Sequence, residues 1–345
     1  MRSGEYRSDW QGARHDGASG LAGRLDHVDA AKGISIFLVV FWHAVDDRLV
    51  INEALWMLRM PLFFFVCGLF AGRALDLPWA RFLPNKVGNT LYLYILWTFL
   101  MYATTNFVAQ YMDGRPISWE RPFMLFTDPP RTLWFMYALA VCYLIAKPLR
   151  KAPALPVMVA LLGLYSWSIS SGDWRIVPFH EKIIRLFPFF FLALWMRQPL
   201  LDFVDRHARW GYLALPAFVG LALVLFETPA ARVGPLTFCV SLLGVVGILM
   251  VGRAWREHPL VGAAAYLGKR SLFVYVMHRI PLFYATNIME RAGIEKTALS
   301  MSVVAVLVTV FCLFVGELVM RWGPRFLFDA PWLKGRDALV ARLAR

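Results

Sequence analysis

A lysine and a histidine lie eleven residues apart in the first apolar segment of the chain, at Lys32 and His43. In an α-helix, eleven residues turn through about three turns plus 20° and rise about 16 Å, so both side chains share one face. A neutral imidazole, whose unperturbed pKa is about 6.5, can take a proton from a hydroxyl, and an ammonium can hold a phosphate. The spacing predicts a polar helix face that carries a candidate base and a candidate anion-binding cation.

Aspartates flank both of these residues. Asp29 lies one helical turn before Lys32, and Asp46 and Asp47 lie about one turn after His43. Either of the two later aspartates is placed to accept a hydrogen bond from a ring nitrogen of His43 and so to orient it. Simpler interpretations stay open, because a lysine can anchor a membrane helix and a histidine can hydrogen bond to a neighbouring helix. The spacing alone does not identify a reaction.

Further ionisable side chains lie within or near the ends of apolar segments. A charge at the centre of a membrane helix costs about 2.5–3.5 kcal/mol on insertion scales, so these groups are expected to face a protein interior or a water-filled cavity. Long side chains near helix ends can reach the membrane surface instead. Glu317 and Arg321, four residues apart, are predicted to form a local ion pair. The other members of this group are Arg59, Arg185, His278 and Arg279.

The elements that must position these residues are membrane helices. Of the 345 residues, 59% are hydrophobic and 15% are aromatic, and the mean hydropathy is +0.54. Apolar stretches of about 20 residues, enough for a helix to span a bilayer, recur along the chain. They lack the alternation of apolar and polar residues that is typical of a membrane β-barrel. The sequence therefore predicts an all-α integral membrane protein with about ten transmembrane helices.

The candidate spans form one predicted transmembrane domain at residues 33–321, between a polar tail at 1–32 and a basic tail at 322–345. No cleavable signal peptide is apparent, so we expect the first helix to be retained. Short charged or proline-containing connections separate the spans, which cover residues 33–51, 54–75, 87–111, 132–150, 153–172, 183–197, 210–227, 234–252, 270–290 and 297–320.

The formal net charge of +13 is distributed unevenly along the chain. Lys and Arg are concentrated in the two tails and in alternate connections between the spans. The positive-inside rule therefore predicts that both termini lie in the cytoplasm and that the protein is a multi-pass protein of the inner, cytoplasmic membrane. This distribution also argues against nucleic acid as a partner.

The four cysteines are Cys67, Cys142, Cys239 and Cys312, and each lies alone in an apolar segment. Their spacing is not typical of a metal site or of a disulfide framework. We interpret them as small apolar residues of the helix bundle, and we predict no metal site.

The first two helices resemble those of the membrane acyltransferase-3 family. The segment from Asp29 to Lys32, followed by Gly-Ile and then by His43, is similar to the opening signature of that family, which is Arg or Lys, ten residues and then His. The run Met60-Pro-Leu-Phe-Phe-Phe-Val-Cys67-Gly resembles its second-helix Met-Pro motif, with cysteine where serine is usual.

Later segments extend the resemblance over nearly the whole chain. The run Leu133-Trp-Phe is similar to the Leu-Trp-Phe segment of the family, and the residues from Leu267 to His278 resemble its late Gly, Ser-Leu, Tyr and His pattern. The chain departs from the family after the second helix. Many members carry an Arg-x-x-Arg pair there, whereas this chain has Arg73, Arg81 and Lys86 at other spacings.

The resemblance implies a ten-helix enzyme that transfers an acyl group, usually acetyl, from cytoplasmic acyl-CoA to a hydroxyl, commonly on a glycan or a lipid-linked sugar. In such an enzyme His43 would be the general base, and Lys32 and Asp29 would be further catalytic residues. A transient acyl-histidine stays open as an alternative to direct transfer.

Roles for the remaining residues follow from the same resemblance. Lys32, Arg81 and Lys86 are predicted to hold the phosphates of CoA, although Arg81 and Lys86 are equally well explained as topogenic residues. Acyl-CoA would be a substrate, so no bound cofactor is expected. The partners would be the lipid bilayer, acyl-CoA and a sugar-containing acceptor. The residues predicted to contact the acceptor are Arg59, Trp134 and His278. A helix-packing hydrogen bond of His278 and an ion pair of Arg59 with Asp46 or Asp47 stay open as alternatives.

A transporter or flippase for a polar metabolite or a lipid-linked sugar is the alternative hypothesis, because it too places ionisable groups inside a helix bundle. Such a protein often contains inverted repeats. Residues 33–172 and 183–320 show no convincing repeat of the Lys32 and His43 pattern. The enzyme is therefore the favoured interpretation.

Overall fold

The computed structural model describes residues 19–45, 55–114, 120–130, 132–171, 179–330 and 333, and within them it contains helices and no strand. The predicted all-α class is confirmed. In chain order the longer helices are α1 (Ser19–Val45), α2 (Trp56–Asp76), α3 (Asn89–Asp113), α4 (Trp134–Leu149), α5 (Ala154–Ser171), α6 (Phe179–Trp195), α7 (Arg197–His207), α8 (Gly211–Phe226), α9 (Gly234–Ala254), α10 (Pro259–Lys269), α11 (Ser271–Met277), α12 (Arg279–Arg291) and α13 (Ala298–Trp322).

Several of these helices are suited to a bilayer. In the part of the chain that the structure describes, five helical segments are long and apolar enough to cross a membrane, and α4 and α5 are apolar but shorter. The protein is therefore a multi-pass membrane protein, while the count of ten spans and the sides of the termini stay predictions. The five segments are Asp26–Val45, Trp56–Asp76, Arg197–Phe226, Gly234–Ala254 and Ala298–Trp322.

Helix α1 begins well before the predicted start of the first span at residue 33. Its early residues are buried, including His27, Val28 and Ala30, which are at most 1% exposed. Small residues allow this part of α1 to pack closely against α10, a helix that the hydropathy pattern did not predict. The predicted contact between His43 and Asp46 or Asp47 lies outside the described residues.

Two glycines bring the backbones of α1 and α10 into contact. A Cβ atom added at Gly33 would lie 1.9 Å from the carbonyl oxygen of Ala264. A Cβ added at Gly268 would lie 1.8 Å from the carbonyl oxygen of Asp29. Both distances are far below van der Waals contact, so only glycine allows this crossing. The crossing fixes α1 against α10 immediately beside Lys32.

A third glycine, Gly68, brings the backbone of α2 into contact with that of α6. A Cβ at Gly68 would lie 2.2 Å from the carbonyl oxygen of Phe190 in α6. On the other side of α2, the hydroxyl of Ser35 donates a hydrogen bond of 2.8 Å to the carbonyl of Arg59. Helix α2 is therefore held between α1 and α6, with the aromatic residues that follow Pro61 buried in the core.

The predicted span at residues 270–290 consists of two short helices, α11 and α12, that meet at His278. Pro281 is the physical reason. It has no N–H to donate to the carbonyl of Met277, and its ring clashes with that carbonyl in a regular helix. The last turn of α11 keeps its helical hydrogen bond, because the backbone N–H of His278 donates to the carbonyl of Val274 at 2.9 Å.

The predicted ion pair between Glu317 and Arg321 is wrong. Glu317 accepts instead from the Nε of Arg270, and the hydroxyl of Tyr266 lies 3.3 Å from the same carboxylate. The guanidinium of Arg321 lies over the ring of Trp322, 4.7 Å from its centroid. The partners differ because α13 packs beside the junction of α10 and α11, which offers Glu317 a cation on a neighbouring helix.

The chain folds back onto α3 after α13. The indole Nε1 of Trp97 donates to the carbonyl of Leu327 at 2.6 Å, and the backbone N–H of Ala330 donates to the Oδ1 of Asn89 at 2.9 Å. Phe328 is 4% exposed and packs between the rings of Trp97 and Phe273. This segment therefore closes the gap between α3 and α11.

The glycine crossing predicts the effect of adding one methyl group. We expect Gly268→Ala to destabilise the protein by at least about 1–3 kcal/mol, because the new Cβ overlaps a backbone oxygen that cannot move freely. Gly262→Ala is the matched control on the same helix, since a Cβ at Gly262 meets no atom within 4 Å. Thermal unfolding midpoints in detergent would be compared. Equal midpoints for the two variants would contradict the close approach.

Candidate active site

The two histidines that the sequence singles out lie against each other. Their ring centroids are 5.3 Å apart and the ring planes are inclined by 29°. His43 lies near the end of α1 and is half-buried, whereas His278 is 0% exposed at the junction of α11 and α12. The two imidazoles therefore bring α1 into contact with the junction of α11 and α12.

The hydrogen bonds of His278 determine which ring nitrogen carries its proton. Nδ1 lies 3.0 Å from the carbonyl oxygen of Val274 and 2.8 Å from that of Tyr275. A carbonyl oxygen only accepts, so Nδ1 must donate, and in the neutral ring Nε2 then carries the lone pair. Nε2 is buried and has no hydrogen-bond partner. His278 therefore presents an acceptor nitrogen inside the protein.

His43 is held by aromatic contacts. Besides the stack with His278, its ring lies 4.5 Å from the ring of Trp42 between centroids. Among the contacts of the described residues no hydrogen bond engages its ring nitrogens, and the ring is partly exposed. A nitrogen of His43 is therefore available to a substrate, which is the condition for a general base.

Arg59, which the sequence predicts to contact the acceptor, lies beside this pair. It is 3% exposed, and its guanidinium lies 5.0 Å from the centroid of the Trp42 ring. Arg59 and Arg279 are both close enough to His43 to interact with it electrostatically. The sequence analysis gave Arg279 no role, although it adjoins His278 in the chain.

The other end of the α1 face carries the predicted donor-side residues. Asp29 interacts electrostatically with Lys32 and Lys269, and Lys32 interacts with the thiol of Cys67 on α2. Asp29 precedes His43 by fourteen residues in the same helix, a rise of about 21 Å. Asp29 is therefore close to Lys32 and does not contact His43.

Arg81 and Lys86 are exposed in two helical turns beyond the end of α2, Trp79–Phe82 and Leu83–Gly88. The α2 residue close to Lys32 is Cys67, which lies nine residues before this end of the helix. The nearby Lys147 has a structural role, because its ammonium donates to the carbonyls of Leu75 and Leu77 at 2.9 and 2.5 Å. Arg81 and Lys86 thus lie at the surface on the Lys32 side of the protein.

Trp134 is the first residue of α4, and its described ring contacts are with Phe64, Phe179 and the ammonium of Lys182. Its neighbour Phe135 contacts Tyr275 at 5.4 Å between centroids, and Tyr275 lies 6.3 Å from His278. The Leu-Trp-Phe segment therefore reaches the histidine pair through its phenylalanine. The sequence analysis missed Phe135 and Tyr275, although both occur in the segments it quoted.

Arg185 has a different environment from the residues above. Its Nε donates to the hydroxyl of Ser168 at 2.9 Å and its Nη2 to the carbonyl of the same residue at 2.7 Å. Glu181 lies 3.4 Å away on the same helix. This buried arginine therefore joins α6 to α5 and is not part of the histidine site.

Comparison with known proteins agrees with the resemblance seen in the motifs. The sequence model of the acyltransferase-3 family, described as an acyltransferase domain, matches residues 25–318, which include Lys32, His43 and His278. Inner membrane protein YcfT of Escherichia coli strain K12 is 21% identical over 88% of this chain and 94% of its own length. No solved structure is significantly similar to the chain.

The different burial of the two histidines predicts different chemical reactivity. We expect diethyl pyrocarbonate to modify the exposed His258 fastest, the half-buried His43 more slowly and the fully buried His278 slowest of the three in the folded protein. Peptide mass spectrometry would follow each site over time, with denatured protein as the control in which all three react. Modification of His278 as fast as His43 would contradict the buried pair.

Proposed function

The chain belongs to the acyltransferase-3 family of membrane acyltransferases, and we propose that it is an O-acyltransferase that moves an acetyl group from acyl-CoA to a sugar hydroxyl. The acceptor would be a glycan, a lipid-linked saccharide or a signalling oligosaccharide. The observation that carries the proposal is the face of α1, which has Lys32 at one end and the paired His43 at the other.

His43 supplies the base in this proposal. As the hydroxyl oxygen attacks the thioester carbonyl, a ring nitrogen of His43 takes the hydroxyl proton. The carbon–sulfur bond then breaks, and the CoA thiolate leaves and is protonated to the thiol. A positioned general base contributes about 10²–10⁴-fold to such a reaction. Partial burial of His43 allows a hydroxyl to reach the ring while most water is excluded.

The donor binds with its phosphates at the Lys32 end. Acyl-CoA is an elongated molecule with phosphates at one end and the thioester at the other. A cation at the mouth and a base about 16 Å deeper on the same face match these two ends. In this arrangement Asp29 orients Lys32, and Arg81 and Lys86 attract the phosphates from the surface.

The acceptor binds at the His43 end, where Arg59, Trp134 and His278 contact it. Arg59 supports this role most directly, because its guanidinium lies over Trp42, the residue next to the base. Trp134 offers a flat aromatic face beside Phe64 and the ammonium of Lys182. These side chains combine cationic, aromatic and hydrogen-bonding groups, which suits a hydroxyl-rich molecule.

The proposed topology places this site in an inner membrane. Ten spans leave both termini in the cytoplasm, as the distribution of Lys and Arg favours, with the first span beginning near Asp26 and not at residue 33. Lys32 then lies within two helical turns of the cytoplasmic end of this span, the side on which acyl-CoA is available. The partners are the bilayer, acyl-CoA and the sugar acceptor, with no nucleic acid and no bound cofactor in the reaction.

The first functional prediction concerns the base. We expect His43→Ala to lower acylation of surface glycans at least about 100-fold, because the general base is lost. Mass spectrometry of glycans from cells that express each variant would measure acylation, and immunoblotting of membranes would measure protein content. His207→Ala is the control histidine outside the site. Normal acylation in the His43→Ala cells would contradict the assignment of His43 as the general base.

The second functional prediction concerns the donor. We expect Lys32→Ala to raise the KM for acetyl-CoA about tenfold or more, because a charge-assisted hydrogen bond contributes about 1.5–3 kcal/mol and 1.4 kcal/mol corresponds to a factor of ten. Lys32→Arg should keep most of the affinity, and Lys151→Ala is a surface control. Release of CoA from labelled acetyl-CoA by the purified protein gives the rates. Substrate flux without CoA release would instead indicate the transporter.

A further inference from the structure

His278, at the junction of α11 and α12, is bound back onto the last turn of α11. The Nδ1 of its ring donates to two carbonyls of that turn, those of Val274 and Tyr275, and the Val274 carbonyl also accepts the backbone N–H of His278. These contacts fix both the orientation of the ring and its tautomer, with the hydrogen on Nδ1.

The fixed tautomer leaves a hydrogen-bond acceptor inside the protein. The Nε2 atom of His278 is buried and has no partner, and the residue is 0% exposed. A buried acceptor without a donor destabilises the folded state, so such a group is retained where a donor arrives during function. The chemistry of the missing partner is restricted, because an unprotonated imidazole nitrogen takes a donor such as a hydroxyl and not an anion.

The position of His278 identifies the molecule that brings the donor. Its ring lies 5.3 Å from that of His43 between centroids, so whatever reaches Nε2 lies next to the hydroxyl that His43 deprotonates. A single hydroxyl hydrogen can be donated either to the ring nitrogen of His43 or to the Nε2 of His278, but not to both. A second hydroxyl on the same molecule, adjacent to the first, satisfies the other nitrogen.

We propose that the Nε2 of His278 accepts a hydrogen bond from a second hydroxyl of the acceptor, adjacent to the hydroxyl that is acylated. His278 is then the residue that aligns the acceptor, and neighbouring hydroxyls, as on a sugar or another polyol, are what the site requires. This inference rests on the proposed O-acyl transfer. It assigns no proton transfer to His278, which stays neutral throughout.

Two substitutions separate the two nitrogens of this ring. In His278→Asn, the amide nitrogen takes the place of Nδ1 and keeps the contacts with Val274 and Tyr275, but nothing replaces Nε2. In His278→Gln, the longer side chain brings an amide oxygen to the Nε2 position, where it accepts a hydrogen bond but cannot accept a proton. A structural role, an aligning role and a base role therefore give three different results.

Membrane vesicles from expressing cells, which contain the natural acceptor, would be incubated with acetyl-CoA labelled in the acetyl group. Labelled glycan and labelled free acetate would be measured separately. We expect His278→Asn to lower the label in glycan tenfold or more, to raise the ratio of acetate to acetyl-glycan, and to leave the KM for acetyl-CoA unchanged. His278→Gln should stay within about threefold of the unmodified protein.

Two results would overturn the inference: wild-type transfer by His278→Asn, which indicates a purely structural ring, and loss of transfer in both variants at wild-type stability, which indicates a base. Absence of glycan labelling by the unmodified protein would instead count against the proposed function.

Nitrogen-15 NMR of histidine-labelled, unmodified protein does not depend on how the variants fold. It should show an unprotonated Nε2 whose resonance shifts when glycan extract is added, and a protonated Nε2 would also overturn the inference.

Discussion

The backbone contact between α1 and α10 is the constraint on which the rest of the site depends. Gly33 and Gly268 each occupy a position where a Cβ would overlap a carbonyl oxygen of the other helix. This contact therefore fixes the depth and the rotation of α1 in the bundle. Because Lys32 precedes Gly33 directly, the crossing also fixes this cation in the middle of α1 and hence His43 eleven residues later.

The second constraint is the anchoring of His278 where the late helix divides. The Nδ1 of its ring donates to the carbonyls of Val274 and Tyr275, one turn back in α11, and these contacts fix the ring. His43 on α1 stacks on this fixed ring. An uncharged imidazole as a neighbour would position His43 without the cost of another charge in a membrane helix bundle.

The sequence predicted those features that depend on local pattern. Helical periodicity placed Lys32 and His43 on one face, and hydropathy gave the helical class. Other features depend on tertiary packing and are not visible in a single sequence. Helix α10 is too short to be recognised from hydropathy, and its position depends on the contact with α1. Glu317 pairs with Arg270, a cation at the junction of α10 and α11. The resemblance placed His278 at the acceptor, but the stacking of its ring on that of His43 was not predicted, since no spacing relates residues so distant in the chain.

In the proposed mechanism, acyl-CoA lies along one face of α1, with its phosphates at Lys32 and its thioester at His43. A structure of the protein bound to a non-hydrolysable acetyl-CoA analogue tests this arrangement. We expect the phosphates at Lys32 and the acyl carbonyl beside the histidine pair. We also expect room for a hydroxyl oxygen within about 3–3.5 Å of the carbonyl carbon, which is the distance between reacting atoms that are ready for attack. An analogue bound elsewhere, with His43 remote from its carbonyl, would contradict it.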